Sequence, residues 1–79
     1  MLTAARDAVA LVCGVDASSL DIATDLAVLG ADSLALVSIA DVLEADFASR
    51  GVPFQIDDST LAKLTSVGDI VDYLATAVG

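Results

Sequence analysis

The longest helical period in the chain lies between residues 33 and 49, where Leu36, Val37, Ile39, Ala40, Leu43 and Phe47 fall on one broad face. This spacing predicts a helix that starts at Asp32 or Ser33 and runs to about Ser49. Arg50 suits its C-terminal end and Gly51 the residue just past the cap. Pro53 blocks continuation and pushes Val52 toward extended backbone. A second clear pattern closes the chain. In TSVGDIVDYLATAV, Ser66 and Asp69 have the spacing of a capping box, and Val67, Ile70, Val71, Leu74 and Val78 follow at helical positions. A first helix is expected over residues 3–13, capped by Thr3 and stopped by Gly14. Ala5, Val9 and Val12 line one face of it, with Ala8 and Leu11 alongside. A short helix is expected over residues 58–64, headed by Asp57 and Asp58, with Leu61 and Leu64 turned inward.

Residues 15–31 form a long connection in which Asp16, Ser18, Ser19, Asp21, Thr24 and Asp25 alternate with Leu20, Ile22, Leu26 and Leu29. A disordered linker has no use for four spaced large aliphatics. The pattern predicts an ordered loop that tucks them into the core, with a helical turn at residues 25–29. Loops of this length in small domains often carry function.

No stretch shows strand alternation or internal repetition. The fold class is therefore all-α: three main helices and a short third one, packed as a small bundle over a single domain of residues 1–79. Composition agrees with this. Hydrophobic residues make up 57% of the chain, yet only Phe47, Phe54 and Tyr73 are aromatic, and small aliphatics suit closely packed short helices.

Charge narrows the choice of partners. Twelve acidic residues face three basic ones, for a net charge of −9. Such a surface repels nucleic-acid backbones and anionic lipid, and it attracts basic proteins. The chain has no histidine, the commonest general base and metal ligand. Cys13 is its one cysteine, so no internal disulfide can form, and a small core residue is the expectation there. No segment reaches membrane-spanning length and no leader pattern precedes the first helix, so a cytoplasmic monomer is expected.

Candidate chemistry is sparse. The segment DASSLDIATDLA, residues 16–27, fails as a calcium loop at its fifth, sixth and twelfth positions, occupied by Leu20, Asp21 and Ala27. Asp41 and Glu44 share a helix face, but acid–base catalysis needs desolvated carboxyls in a cleft, for which a bundle of this size has little room. Ser33 has no histidine to activate it as a nucleophile. It is either a helix cap, a role Asp32 can fill itself, or the acceptor of a phosphate-linked group. A phosphodiester at a helix N-terminus is stabilised by about 0.3–1 kcal/mol.

At these residues the sequence resembles the acyl carrier proteins of fatty acid and polyketide synthesis. The resemblance rests on LGADSL at residues 29–34, a following helix that ends in LEADF at residues 43–47, and the final LTSVGDIVDYL at residues 64–74. It implies a right-handed four-helix bundle with a short third helix. It also implies that Ser33, preceded by Asp32, receives 4′-phosphopantetheine from coenzyme A through a phosphopantetheinyl transferase. The arm's thiol would then carry acyl groups as thioesters between enzymes. The family's docking surface corresponds here to Leu34, Val37, Ser38, Asp41 and Glu44, a stripe beside the buried face of the second helix, with Asp25 and Asp32 as additions from the loop.

Two departures from the family pattern bear on pathway. Fatty-acid members often place a carboxylate where Ser38 lies and an apolar side chain where Asp41 lies. The segment ASRGVPFQ, residues 48–55, is longer than in compact members, and either extends the second helix or lengthens the connection after it. Both point to a non-catalytic carrier in a polyketide or related specialised pathway, as a stand-alone protein or a trimmed module. A carrier of aminoacyl or peptidyl groups is the alternative within the class. An unmodified helical interaction module is the alternative outside it.

Overall fold

The computed structural model describes residues 2–78, with side chains to residue 77. Four α-helices follow one another: α1 (Leu2–Cys13), α2 (Ser33–Ser49), α3 (Asp58–Leu61) and α4 (Val67–Val78). A 3₁₀ turn, Ala17–Ser19, interrupts the long connection. No strand occurs among the described residues, only an isolated bridge between Asp25 and Ser66. The all-α expectation holds.

Helix α1 packs against both α2 and α4, whereas among the described residues α3 contacts no helix but α2. Ala4, Ala5 and Ala8 are buried on α1, and their small side chains let the neighbouring helices come close. Around them Val9, Ile39, Leu43, Val67, Ile70 and Leu74 are almost completely buried. Each such side chain contributes about 1.5–3 kcal/mol relative to an exposed one. Helix α1 begins at Leu2, so Thr3 lies inside its first turn and is not its cap. Leu2 packs against the core and draws that turn in. Leu11 is 72% exposed, not beside the buried face. It lies at the edge of the apolar stripe, in the last turn of the helix. Val78's side chain lies outside the described residues.

Helix α2 ends where its sequence predicts. Gly51 has φ +79°, its N–H donates to the Ala48 carbonyl at 3.0 Å, and the Val52 N–H donates to the Phe47 carbonyl at 2.9 Å. This closes the helix with the paired bonds of a Schellman motif. Residues 50–57 thus lengthen the connection and do not extend the helix. Helix α3 stops at Leu61, short of Leu64. The chain continues through tight turns, with Lys63 N–H donating to the Thr60 carbonyl and Leu64 N–H to the Leu61 carbonyl, and Leu64 is still delivered into the core.

The long connection is ordered and strapped to the head of α4. Leu26 N–H donates to the Thr65 carbonyl at 2.9 Å, Val67 N–H to the Thr24 carbonyl at 3.0 Å, and Gly68 N–H to the Ile22 carbonyl at 2.9 Å. Two of the N–H groups that a helix start leaves unpaired are satisfied in this way. Leu20 and Leu26 are buried and Leu29 half-buried, as expected, but Ile22 is 58% exposed. Its carbonyl holds the strap, and that orientation turns the side chain out. Only half of the capping box forms as predicted. Ser66 Oγ accepts from Asp69 N–H at 3.2 Å, while Asp69 Oδ2 accepts from the N–H and the hydroxyl of Thr65, at 2.9 and 2.8 Å. Thr65 presents two donors in one place and captures the carboxylate. These bonds hold the Asp69 carboxyl below the usual carboxylate range, the backbone N–H contributing most.

Candidate functional site

The approach to Ser33 is a single helical turn that ends abruptly. Val28, Leu29 and Gly30 each donate a backbone N–H to the carbonyl three residues earlier. Asp25 Oδ1 stabilises the start of the turn by accepting from Ala27 N–H at 2.9 Å. Gly30 then takes φ +79° and Ala31 N–H reaches back to the Leu26 carbonyl at 3.1 Å. The left-handed residue reverses the chain, a conformation glycine adopts without the Cβ penalty of other residues. The glycine of LGADSL is thus required by the backbone, and it sets where Asp32 and Ser33 emerge.

Asp32 is the cap of α2. Its backbone is extended and its Oδ1 accepts from Ala35 N–H at 2.9 Å. Ser33 is the first helical residue and is exposed, and no described group engages its hydroxyl. Asp32 therefore fills the cap, and Ser33 is left with a free Oγ at the positive end of a 17-residue helix.

Leu34 and Val37 rise from the same end of α2, 73% and 42% exposed. Ser38 is half-buried, Asp41 exposed and Glu44 half-buried. Their spacing puts all five on one side of the helix. Val37 therefore belongs to the accessible stripe more than to the core face on which its periodicity also placed it. Asp25 is exposed in the loop and lines a hollow of about 350 Å³ together with Ala31 and Leu36. One oxygen of Glu44 is already used: Oε2 accepts from Ile56 N–H at 3.0 Å.

The third helix is too short to cover α2, and open hollows remain between them. The one beside Ser33 is mainly apolar, about 230 Å³, and is lined by Leu36, Val37, Asp58, Leu61 and Ala62. It adjoins a larger, more polar hollow of about 500 Å³ between α2 and residues 55–61. The size of the bundle predicts little room for a catalytic cleft. The helical periodicity does not show that a one-turn α3 leaves the neighbouring face of α2 uncovered. Nor does it mark Asp58 and Ala62 as wall residues, or Val28, which is 82% exposed in the turn before Ser33. An apolar residue between the inward Leu26 and Leu29 was the available signal for Val28. Asp57 caps α3 as expected, accepting from Thr60 N–H at 2.8 Å, and the hydroxyl and N–H of Thr60 hold its carboxyl below the usual range. Cys13 is half-buried against the core, and burial raises its thiol pKa.

No described helix is long and apolar enough to cross a membrane. Comparison with known proteins agrees with this geometry. Residues 4–74 match the family model described as "Phosphopantetheine attachment site". An acyl carrier protein of Thermotoga maritima is 41% identical over 51 residues, a match that covers 65% of this chain and 57% of that relative. The chain thus spans little more than half the length of the curated relative it matches. No solved structure matches it significantly. The free serine at the head of α2, the left-handed glycine before it and the family match over residues 4–74 agree: the chain belongs to the phosphopantetheine attachment-site family, whose domains are non-catalytic carriers of a covalent 4′-phosphopantetheine arm.

Proposed function

We propose that this chain is an acyl carrier domain over residues 1–79, with Ser33 as its attachment residue. The observation that carries this is the division of labour at the head of α2: Asp32 closes the helix, and the Ser33 hydroxyl is left exposed and unengaged. In the reaction a phosphopantetheinyl transferase would catalyse, Ser33 Oγ replaces adenosine 3′,5′-bisphosphate on the pantetheine phosphate of coenzyme A and loses its proton. The arm supplies a thiol that carries cargo as a thioester. The chain's own residues hold the phosphodiester near the N–H groups and positive dipole of α2 and present it outside the bundle.

Leu34, Val37, Ser38, Asp41 and Glu44 form the partner face in this reading, with Asp25 and Asp32 beside it. Twelve acidic residues against three basic ones favour transferases and acyl-loading, elongating or tailoring enzymes with basic docking patches. The chain acts as a monomer in the cytoplasm. Ser38 and Asp41 on this face favour polyketide or other specialised-metabolite synthesis. Intact-protein mass after incubation with coenzyme A and a broad-specificity transferase tests the assignment. The wild type gains one phosphopantetheinyl group and Ser33→Ala gains none. No gain on folded wild type with two different transferases overturns it.

A further inference from the structure

The connection between α2 and α3 is tied to the body of the protein by side chains from two helices. Glu44 on α2 accepts from Ile56 N–H at 3.0 Å, and the Tyr73 hydroxyl on α4 donates to the Gln55 carbonyl at 2.9 Å. Just before these ties, Phe54 stands between Phe47 and Tyr73, with ring centroids 5.5 and 6.2 Å away. Directly after them, Asp57 caps α3. Helix α3 is one turn long and among the described residues touches no helix but α2, so a large part of its position is set by the segment that leads into it. That helix and its C-terminal cap supply Asp58, Leu61 and Ala62 to the apolar hollow beside Ser33.

We propose that Glu44 is a latch on this hollow. Its bond to Ile56 holds residues 56–64 against α2 as one unit, and release of that bond lets the unit move away and widens the hollow without disturbing α1 or α4. The inference concerns the bundle itself and stands independently of whether Ser33 is modified. Phe54 and Gln55 are the hinge side, because they lie before the latch in the chain and are held by Tyr73 on α4 and by Phe47 at the end of α2. Glu44 is the free side, because it is only half-buried and lines the open hollow of about 500 Å³.

Amide hydrogen exchange resolved by residue tests the latch on the whole chain. Glu44→Asp keeps the charge but withdraws the carboxylate by one methylene. Glu44→Gln keeps both reach and an acceptor oxygen. In Glu44→Asp, exchange at Ile56 and at Leu61, Ala62, Lys63 and Leu64 is expected to quicken together by about tenfold, the effect of losing one hydrogen bond to a charged group. The amides of Val9 and Leu74 are expected to stay unchanged, and Glu44→Gln to stay close to wild type. The proposal is overturned if only Ile56 quickens, if Val9 and Leu74 quicken by the same factor, or if Glu44→Gln opens the segment as far as Glu44→Asp.

Discussion

Gly68 and Ile22 approach through their backbones: the Gly68 N–H donates to the Ile22 carbonyl at 2.9 Å, and a Cβ on Gly68 would stand 2.7 Å from the same oxygen. In an unhindered helix, Gly→Ala stabilises by about 0.8–1 kcal/mol. Here the sign reverses, because the atom to be displaced is backbone in the strap. Gly68→Ala is expected to destabilise by about 1–3 kcal/mol, the usual range for overpacking. A urea midpoint equal to or above wild type would show that the strap yields without cost.

Gly30 raises a different constraint, because no atom lies within 4 Å of its Cβ position and the obstacle is φ +79° alone. Gly30→Ala is expected to cost about 1–2 kcal/mol. Gly51→Ala, at the same φ and equally open, is the internal control and should lose a similar amount in the same urea titration.

Asp32 and Ser33 are adjacent but separable. Asp32→Ala removes the cap bond to Ala35 and is expected to cost about 0.5–2 kcal/mol. Ser33→Ala removes an exposed, unengaged hydroxyl and is expected to stay within about 0.5 kcal/mol of wild type. Thermal unfolding of the two unmodified variants checks this. The same pair in the mass assay then separates a loss of fold from a loss of the acceptor.

Asp57 and Asp69 both have lowered pKa values, from hydrogen bonds to Thr60 and Thr65 respectively. The stability they add is therefore present above the unfolded carboxylate pKa of about 4 and fades as pH falls through their lowered folded values. The wild type is expected to exceed a D57A/D69A double variant by a constant margin above about pH 5, and the margin to shrink below about pH 4. Comparing the two proteins removes most of the general relief of repulsion that acid brings to a chain of net charge −9, since the variant keeps ten of the twelve acidic residues. A margin that does not change with pH would show that ionisation of these two groups adds nothing.

Much of this molecule is legible in its sequence where one residue type has one physical use. Gly51 and Pro53 end α2, Asp57 heads α3, and Ser66 caps α4, because left-handed backbone, blocked continuation and unpaired N–H groups each admit few solutions. The burial of Leu20 and Leu26 was readable from their spacing. Ile22 was not, because its role is carried by its carbonyl, and backbone strapping leaves no mark on side-chain pattern. The strap's one trace is Gly68, an apparent weakness early in a strong helix. At the site, Ser33 and Asp32 were legible as a pair, but which of them caps α2 depends on where the helix begins, and a one-residue shift exchanges their roles. The hollows next to Ser33 follow from the length of α3, and a helix end is the feature that periodicity defines least well.

Glu44 has a single carboxylate, and Ile56 already holds one of its oxygens. A cation that draws this carboxylate away must compete with that bond, so its affinity is lowered by whatever the closed arrangement is worth. By thermodynamic reciprocity the same cation favours the released arrangement by the same factor. Surface recognition on α2 and the packing of residues 56–64 are thereby linked equilibria: a basic partner engaging Glu44 would meet a surface whose free energy depends on the state of the interior behind it.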